Sequence, residues 1–265
     1  MEKDERLAEK QKQPIAVFDS GVGGISVLKE MVKVMPNEDF IYYGDSKHAP
    51  YGTKSLEEVR RLTIMHTQEL LEQGAKAVAI ACNTATSAAV RILRQMYPEL
   101  PLVGIEPALK PAVLFKRHPR VLVMATPMTI REEKFHLLLE RYQDQAEIYP
   151  LPCPGLMEYV ESGHADSLEV RVFLEKLLGE YRQKRMDAVV LGCTHYPFVK
   201  DVIADVMGPG VHIFDGGEGT ARELRRRVHA AGLANPDIDR EGKILFESSD
   251  FSQEKLRLFQ RLFKN

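Results

Sequence analysis

Tryptophan is absent from this chain and cysteine is scarce, with three in 265 residues. So odd and sparse a set of thiols excludes a disulfide framework and suits a reducing compartment. Net charge is nearly missing as well: 36 basic side chains meet 38 acidic ones, for a formal −2. That balance argues against a nucleic-acid binder or a polybasic membrane protein, whose footprint would be basic. No apolar run approaches the ~20 residues that a bilayer span requires. Residues 1–13 (MEKDERLAEKQKQ) hold four acids and four bases with no apolar stretch, so they read as a charged tail and not as a signal peptide. The expectation is a globular protein of the cytoplasm, large enough for two small domains, with three thiols to explain.

What is present is alternation. Strand-sized apolar runs occur at Ile15–Asp19, Phe40–Tyr43, Ala77–Ala81, Leu102–Ile105, Val121–Ala125, Glu147–Leu151, Ala188–Leu191 and Val211–Phe214, with amphipathic segments such as Leu56–Gln73 between them. This pattern predicts an α/β fold of parallel sheet covered on both faces. Pro98, Pro101, Pro107 and Pro111 bracket a region that would suit a hinge between two α/β halves. In open parallel sheets, ligands bind beyond the carboxyl ends of the strands. Those ends are rich in small and reactive residues: Ser20-Gly21-Val22-Gly23-Gly24, Gly44 through Gly52, Cys82-Asn83-Thr84, Thr126 through Thr129, and Gly192-Cys193-Thr194-His195.

Two of these tips match each other. Val78-Ala79-Ile80-Ala81-Cys82-Asn83-Thr84 and Val189-Val190-Leu191-Gly192-Cys193-Thr194-His195 each run from apolar strand through a small residue and a cysteine into polar residues that would open a helix. A helix N-terminus favours a thiolate, moving its pKa below the free value of about 8.5. Cys153, in a proline-flanked stretch, reads instead as a core filler. Neither tip has zinc spacing. Nor does either have the arginine six positions on that a phosphatase needs, since Ala88 and Val199 stand there. Dithiol redox chemistry usually wants a close pair. Acyl transfer would use one thiol and leave the other idle. Two acid–base thiols on opposite faces of one carbon suit stereoinversion, which employs both and needs no cofactor.

These residues resemble glutamate racemases, of the cofactor-independent aspartate/glutamate racemase family. The resemblance rests on Phe18-Asp19-Ser20-Gly21-Val22-Gly23-Gly24, Pro50-Tyr51-Gly52, Ala81-Cys82-Asn83-Thr84-Ala85-Thr86 and Leu191-Gly192-Cys193-Thr194-His195-Tyr196-Pro197, in that order across residues 14–231. It implies two similar doubly wound, mostly parallel-sheet domains with the active site in the cleft between them. The first would comprise 14–105 plus 213–265, and the second 106–212. It implies that Cys82 takes the proton from D-glutamate and Cys193 from L-glutamate. Asp19 and His195 would assist, with Glu161 and Asp45 as further acids. Ser20, Pro50, Tyr51, Gly52, Asn83, Thr84, Thr126, Thr129 and Thr194, together with Asp19 and His195, would hold the amino acid. It further implies no cofactor and no metal, a homodimer, and a supply of D-glutamate for peptidoglycan.

The chain departs from the usual pattern at Ala125, Glu132, Ser46-Lys47-His48 and Asp215-Gly216-Gly217-Glu218-Gly219-Thr220. Other motifs take plainer readings. Gly21-Val22-Gly23-Gly24 fails as a dinucleotide loop, because Ser26 stands at the third glycine position. Ser55 with Glu58 reads as a capping box, Arg225-Arg226-Arg227 as a solvated helix face, and His66 and the other scattered histidines as surface or packing residues. The rivals are an aspartate racemase or a related cysteine-based isomerase or decarboxylase, and a two-domain amino-acid-binding or regulatory protein that closes on its ligand without chemistry.

Overall fold

The computed structural model describes residues 2–265, with side chains from Asp4 onward. In chain order its strands are β1 (Ile15–Asp19), β2 (Phe40–Gly44), β3 (Ala77–Ile80), β4 (Leu102–Gly104), β5 (Arg120–Ala125), β6 (Glu147–Pro152), β7 (Ala188–Leu191), β8 (His212–Asp215) and β9 (Ile244–Ser248). The helices are α1 (Glu2–Gln11), α2 (Ile25–Val34), α3 (Leu56–Glu72), α4 (Asn83–Met96), α5 (Leu109–Leu114), α6 (Pro127–Arg131), α7 (Glu133–Glu140), α8 (Leu156–Glu161), α9 (Leu168–Gln183), α10 (Lys200–Met207), α11 (Gly217–Ala230) and α12 (Gln253–Lys264). Among the described residues no helix is long and apolar enough to cross a membrane.

The chain divides into two compact units, one of residues 1–105 with 217–265 and one of residues 106–216. The first holds a five-stranded sheet in the order β4-β3-β1-β2-β9, with every neighbouring pair parallel. The second holds a four-stranded sheet in the order β6-β5-β7-β8, also parallel throughout. β1, β3 and β7 are buried along their whole length. That burial is why they read as unbroken apolar runs and not as alternating ones. In the first unit α2 packs with α11 and α12, and α3 with α4; in the second α9 packs with α10.

Each sheet changes direction at its start. β1 is followed outward by β2 on one side, and β3 then returns to the other side. β5, β6 and β7 repeat that path. The crevice beyond such a reversal is the usual ligand position in an open parallel sheet. Cys82 follows β3 and Cys193 follows β7, so each thiol stands at the equivalent tip of its own sheet.

Three findings depart from the sequence expectations. Residues 2–11 form a helix where a charged tail was expected; its Glu, Lys, Arg, Ala, Leu and Gln are all strong helix formers, and Gln11 anchors its end by donating to the Gly232 carbonyl (2.9 Å). The strand β9 was not anticipated. The return to the first unit falls at Gly217 and not at 213, because β8 completes the second sheet by pairing with β7.

Candidate active site

In the first unit, the tips of β1 and β3 lie side by side, locked by the Ala81 N–H donating to the Phe18 carbonyl at 2.7 Å. Cys82 is the N-cap of α4 and its Sγ accepts the Ala85 N–H at 3.5 Å. That places the sulfur at the positive end of a fourteen-residue helix, where the dipole favours a thiolate. The thiol also lies 3.5 Å from Ser20 Oγ on the neighbouring tip. Asp19 is fully buried, and its Oδ1 accepts the Gly21 N–H at 2.8 Å. Gly24 is required here: a Cβ would come within 2.6 Å of the Asp19 Cβ. Asn83 is buried and, among the described residues, its Oδ1 has no hydrogen-bond partner. An orphaned buried acceptor of this kind is costly unless a ligand donor meets it.

The third tip of this unit belongs to β2. Asp45 is wholly buried, and its carboxylate is surrounded. His48 Nδ1 lies 2.8 Å and Ser249 Oγ 2.6 Å from Oδ1, while the Tyr51 hydroxyl donates to Oδ2 at 2.6 Å and His66 Nε2 stands 3.2 Å away. Burial works against its charge, but these four contacts outweigh that and hold the carboxyl well below its usual range. Asp45 is therefore an anchor for the loop that carries Pro50, Tyr51 and Gly52. Tyr51 itself is buried, and its phenol is pushed far up, first by burial and then by Asp45, with Cys82 and Asp19 adding. His66 packs as expected, buried against the Phe18 and Tyr43 rings, but it also carries polar contacts: its Nδ1 lies 2.7 Å from Glu69. Burial would lower its pKa, yet Asp45 and Glu69 together raise it.

In the second unit, the β5 and β7 tips are joined by the Gly192 N–H donating to the Met124 carbonyl at 2.7 Å. A side chain at 192 would put its Cβ 2.7 Å from that carbonyl oxygen, so glycine is needed for the strands to close. Thr126 caps α6, accepting the Thr129 N–H at 3.2 Å, and the two hydroxyls meet at 2.9 Å. Beside them stands a chain of three groups. Cys193 Sγ is 3.6 Å from His195 Nδ1, and His195 Nε2 is 2.8 Å from Glu161 Oε1. The expected helix start directly after Cys193 is not there: residues 196–199 form a short 3-10 turn before α10. The neighbour of this thiol is instead the His195 imidazole.

The electrostatics follow from that chain. Burial alone would lower the His195 pKa, but its hydrogen bonds to Cys193 and Glu161 overcome this and hold it well above its usual value. The folded value exceeds the unfolded one, so this interaction stabilises the fold fully below the ordinary histidine range and is lost as pH climbs through the raised value. Glu161→Gln removes a charge-assisted bond worth about 1.5–3 kcal/mol, so the His195 pKa should fall by about one to two pH units. Histidine NMR through a pH titration measures this, and an unchanged His195 titration would remove Glu161 from the chain. Cys153 is different in kind: burial pushes its thiol up to about 12, with the nearby Cys193 adding, so it stays a protonated filler.

The structure thus gathers Asp19, Ser20, Cys82, Asn83 and Thr84 at adjoining tips of one unit, with Pro50, Tyr51 and Gly52 held at Asp45. It gathers Thr126, Thr129, Glu161, Cys193, Thr194 and His195 in the other. Ser249, Glu69 and His66 escaped sequence reasoning; only the His66–Glu69 spacing of three residues on a helix could have hinted at a pair.

A family profile described as Asp/Glu/Hydantoin racemase matches residues 15–224. The glutamate racemase of Clostridium novyi (strain NT) is 49% identical over 252 residues, covering 95% of this chain and 97% of that protein. Among solved structures, glutamate racemase from Francisella tularensis in complex with D-glutamate superposes with a TM-score of 0.82 at 28% identity, over 96% of this chain and 95% of that one. Escherichia coli glutamate racemase, in complex with L-glutamate and the activator UDP-MurNAc-ala, gives 0.82 at 27% identity, covering 94% of this chain and 95% of the other.

Proposed function

The chain belongs to the Asp/Glu/hydantoin racemase family, and from that premise we propose that it interconverts L- and D-glutamate, with Cys82 and Cys193 as alternating base and acid. The observation that supports the reading most is the repetition of one device: a thiol at the same tip of each parallel sheet, one capping a helix and the other beside a buried histidine.

In this reading the Cys193 thiolate removes the Cα proton of L-glutamate, leaving the electron pair on Cα conjugated with the carboxylate. The Cys82 thiol then delivers a proton to the opposite face and becomes the thiolate. D-glutamate runs the same path in reverse. The chemistry requires one thiol on each side of the reacting carbon. Glu161 holds the His195 imidazole in place, and the imidazole stands 3.6 Å from the Cys193 sulfur, within reach of the proton that moves there. Asp19 supplies the corresponding ionisable group near Cys82. The unpartnered Asn83 Oδ1 is an acceptor suited to the substrate ammonium. Backbone N–H groups at the starts of α4 and α6, with the hydroxyls of Ser20, Thr84, Thr126, Thr129 and Thr194, hold the carboxylates. The dimeric assembly, the cytoplasmic setting and the provision of D-glutamate for peptidoglycan belong to the same proposal.

Two measurements on one preparation test it. L-glutamate in deuterated water should lose optical rotation while gaining one deuterium at Cα. Inversion without exchange would rule out proton transfer through protein groups. Polarimetry with aspartate in parallel should show much slower inversion, and faster inversion of aspartate would overturn the substrate assignment.

A further inference from the structure

The cluster at the β2 tip is not used up by the thiol chemistry. One donor atom from each of Asp45, His48 and His66 lies within 4.8 Å of the others. His66 is 4% exposed, and although its Nε2 sits 3.2 Å from Asp45 Oδ2 it is not aligned for a hydrogen bond there. Its other nitrogen, Nδ1, faces Glu69 Oε2 at 2.7 Å. A carboxylate behind one imidazole nitrogen fixes the proton on that side and leaves the far nitrogen's lone pair pointing inward, an arrangement shared by metal-ligating histidines. Asp45 is braced in the same manner, with the Tyr51 and Ser249 hydroxyls each 2.6 Å from a carboxylate oxygen.

We propose that Asp45, His48 and His66 form a binding site for a divalent transition-metal cation of the zinc class, braced from behind by Glu69, Tyr51 and Ser249. Two imidazoles and one carboxylate suit zinc, cobalt or nickel, and not magnesium or calcium, which take oxygen ligands. Three protein ligands leave a position for water or a small anion. His48 now lies 2.8 Å from Asp45 Oδ1; its side chain is 34% exposed, so it has room to swing outward and admit the ion. A cation bound there ties α3, through His66, to the loop that ends in Tyr51. It would stiffen that loop. The metal takes no part in the proton transfers proposed above, so this site stands or falls independently of them.

Cobalt(II) is the probe, because its visible absorption reports coordination geometry and a separate charge-transfer band reports any thiolate ligand. It is titrated into the folded Cys82→Ala/Cys193→Ala protein, which removes the competing thiols. The expected result is a saturable visible spectrum at one ion per chain, without a thiolate band, reversed by added zinc and accompanied by a rise in Tm. Glu69→Gln should weaken binding about tenfold to a hundredfold, and His48→Ala should weaken it further. His48 is partly exposed, so its variant keeps the test open should a His66 variant fail to fold. No saturable spectrum, a thiolate band from Cys153, or unchanged affinity in His48→Ala would each overturn the site.

Discussion

Under the proposed two-thiol mechanism, Cys82→Ala should abolish racemisation of both glutamate enantiomers, and Cys193→Ala should do the same, each falling by at least about 10³-fold in kcat, within the span of a lost general acid or base. The loss is symmetrical because either direction needs one thiolate to remove a proton and one thiol to return it. A protein with a single thiol can only hand the proton back to the face it came from. Residual deuterium exchange at Cα in Cys193→Ala should therefore be confined to D-glutamate, and in Cys82→Ala to L-glutamate. Both cysteines are nearly buried at strand tips, and truncation to alanine removes one sulfur atom. Circular dichroism should show an intact fold. Near-normal turnover in either variant, read by polarimetry, would sink the two-thiol mechanism. Serine is no substitute, since its hydroxyl binds the proton far too tightly to act as the base.

The second large effect concerns stability. Lys76 and Glu38 are buried together, with Nζ 2.5 Å from Oε2. The same ammonium donates to the Gln11 carbonyl at 2.5 Å, and the second oxygen of Glu38 accepts the Asn235 N–H at 2.8 Å. One ion pair thus fastens the end of α1, the β3 entrance and the segment after α11. Lys76→Met leaves Glu38 as a buried charge without its counter-ion, which costs about 3–5 kcal/mol. In a protein of this size that should lower Tm by roughly 10 °C. Lys76→Met with Glu38→Gln removes the stranded charge yet keeps an acceptor for Asn235, so it should recover most of the loss. Thermal unfolding of the three proteins decides it; a double variant no better than the single one would mean that the lysine acts by packing alone.

The sheet strands were legible because parallel strands are buried on both faces and leave unbroken apolar runs, as in Ala77–Ile80 and Ala188–Leu191. β9 was not: it is a short, half-exposed edge strand, and its partner β2 lies about two hundred residues earlier. α1 was missed for the opposite reason, since it has no apolar stripe and forms from helix propensity and a few end contacts. The strand tips announced themselves through their glycines, cysteines and hydroxyls. Their partners did not. Nothing local in the sequence joins Glu161 to His195, or Ser249 to Asp45 across 204 residues. His66 looked ordinary because its meaning lies in Asp45, which a different element supplies. Residue type marks where chemistry can happen; the fold decides which groups meet there.

The two-part first unit has a consequence for how the molecule comes into being. On the ribosome, residues 15–104 emerge first, but β2 then has a bare edge and α2 lacks the helices that cover it. Those pieces, α11, β9 and α12, are made only after the whole of residues 106–216. At a translation rate of about 5–20 residues per second the early sheet waits roughly 7–30 seconds for its final strand. During that wait its open β2 edge is free to pair with another nascent chain. The middle unit, made from one continuous stretch, can finish before the unit that preceded it. Assembly of this protein should therefore close from the inside outward, with Ser249 reaching Asp45 only after the middle unit has been made.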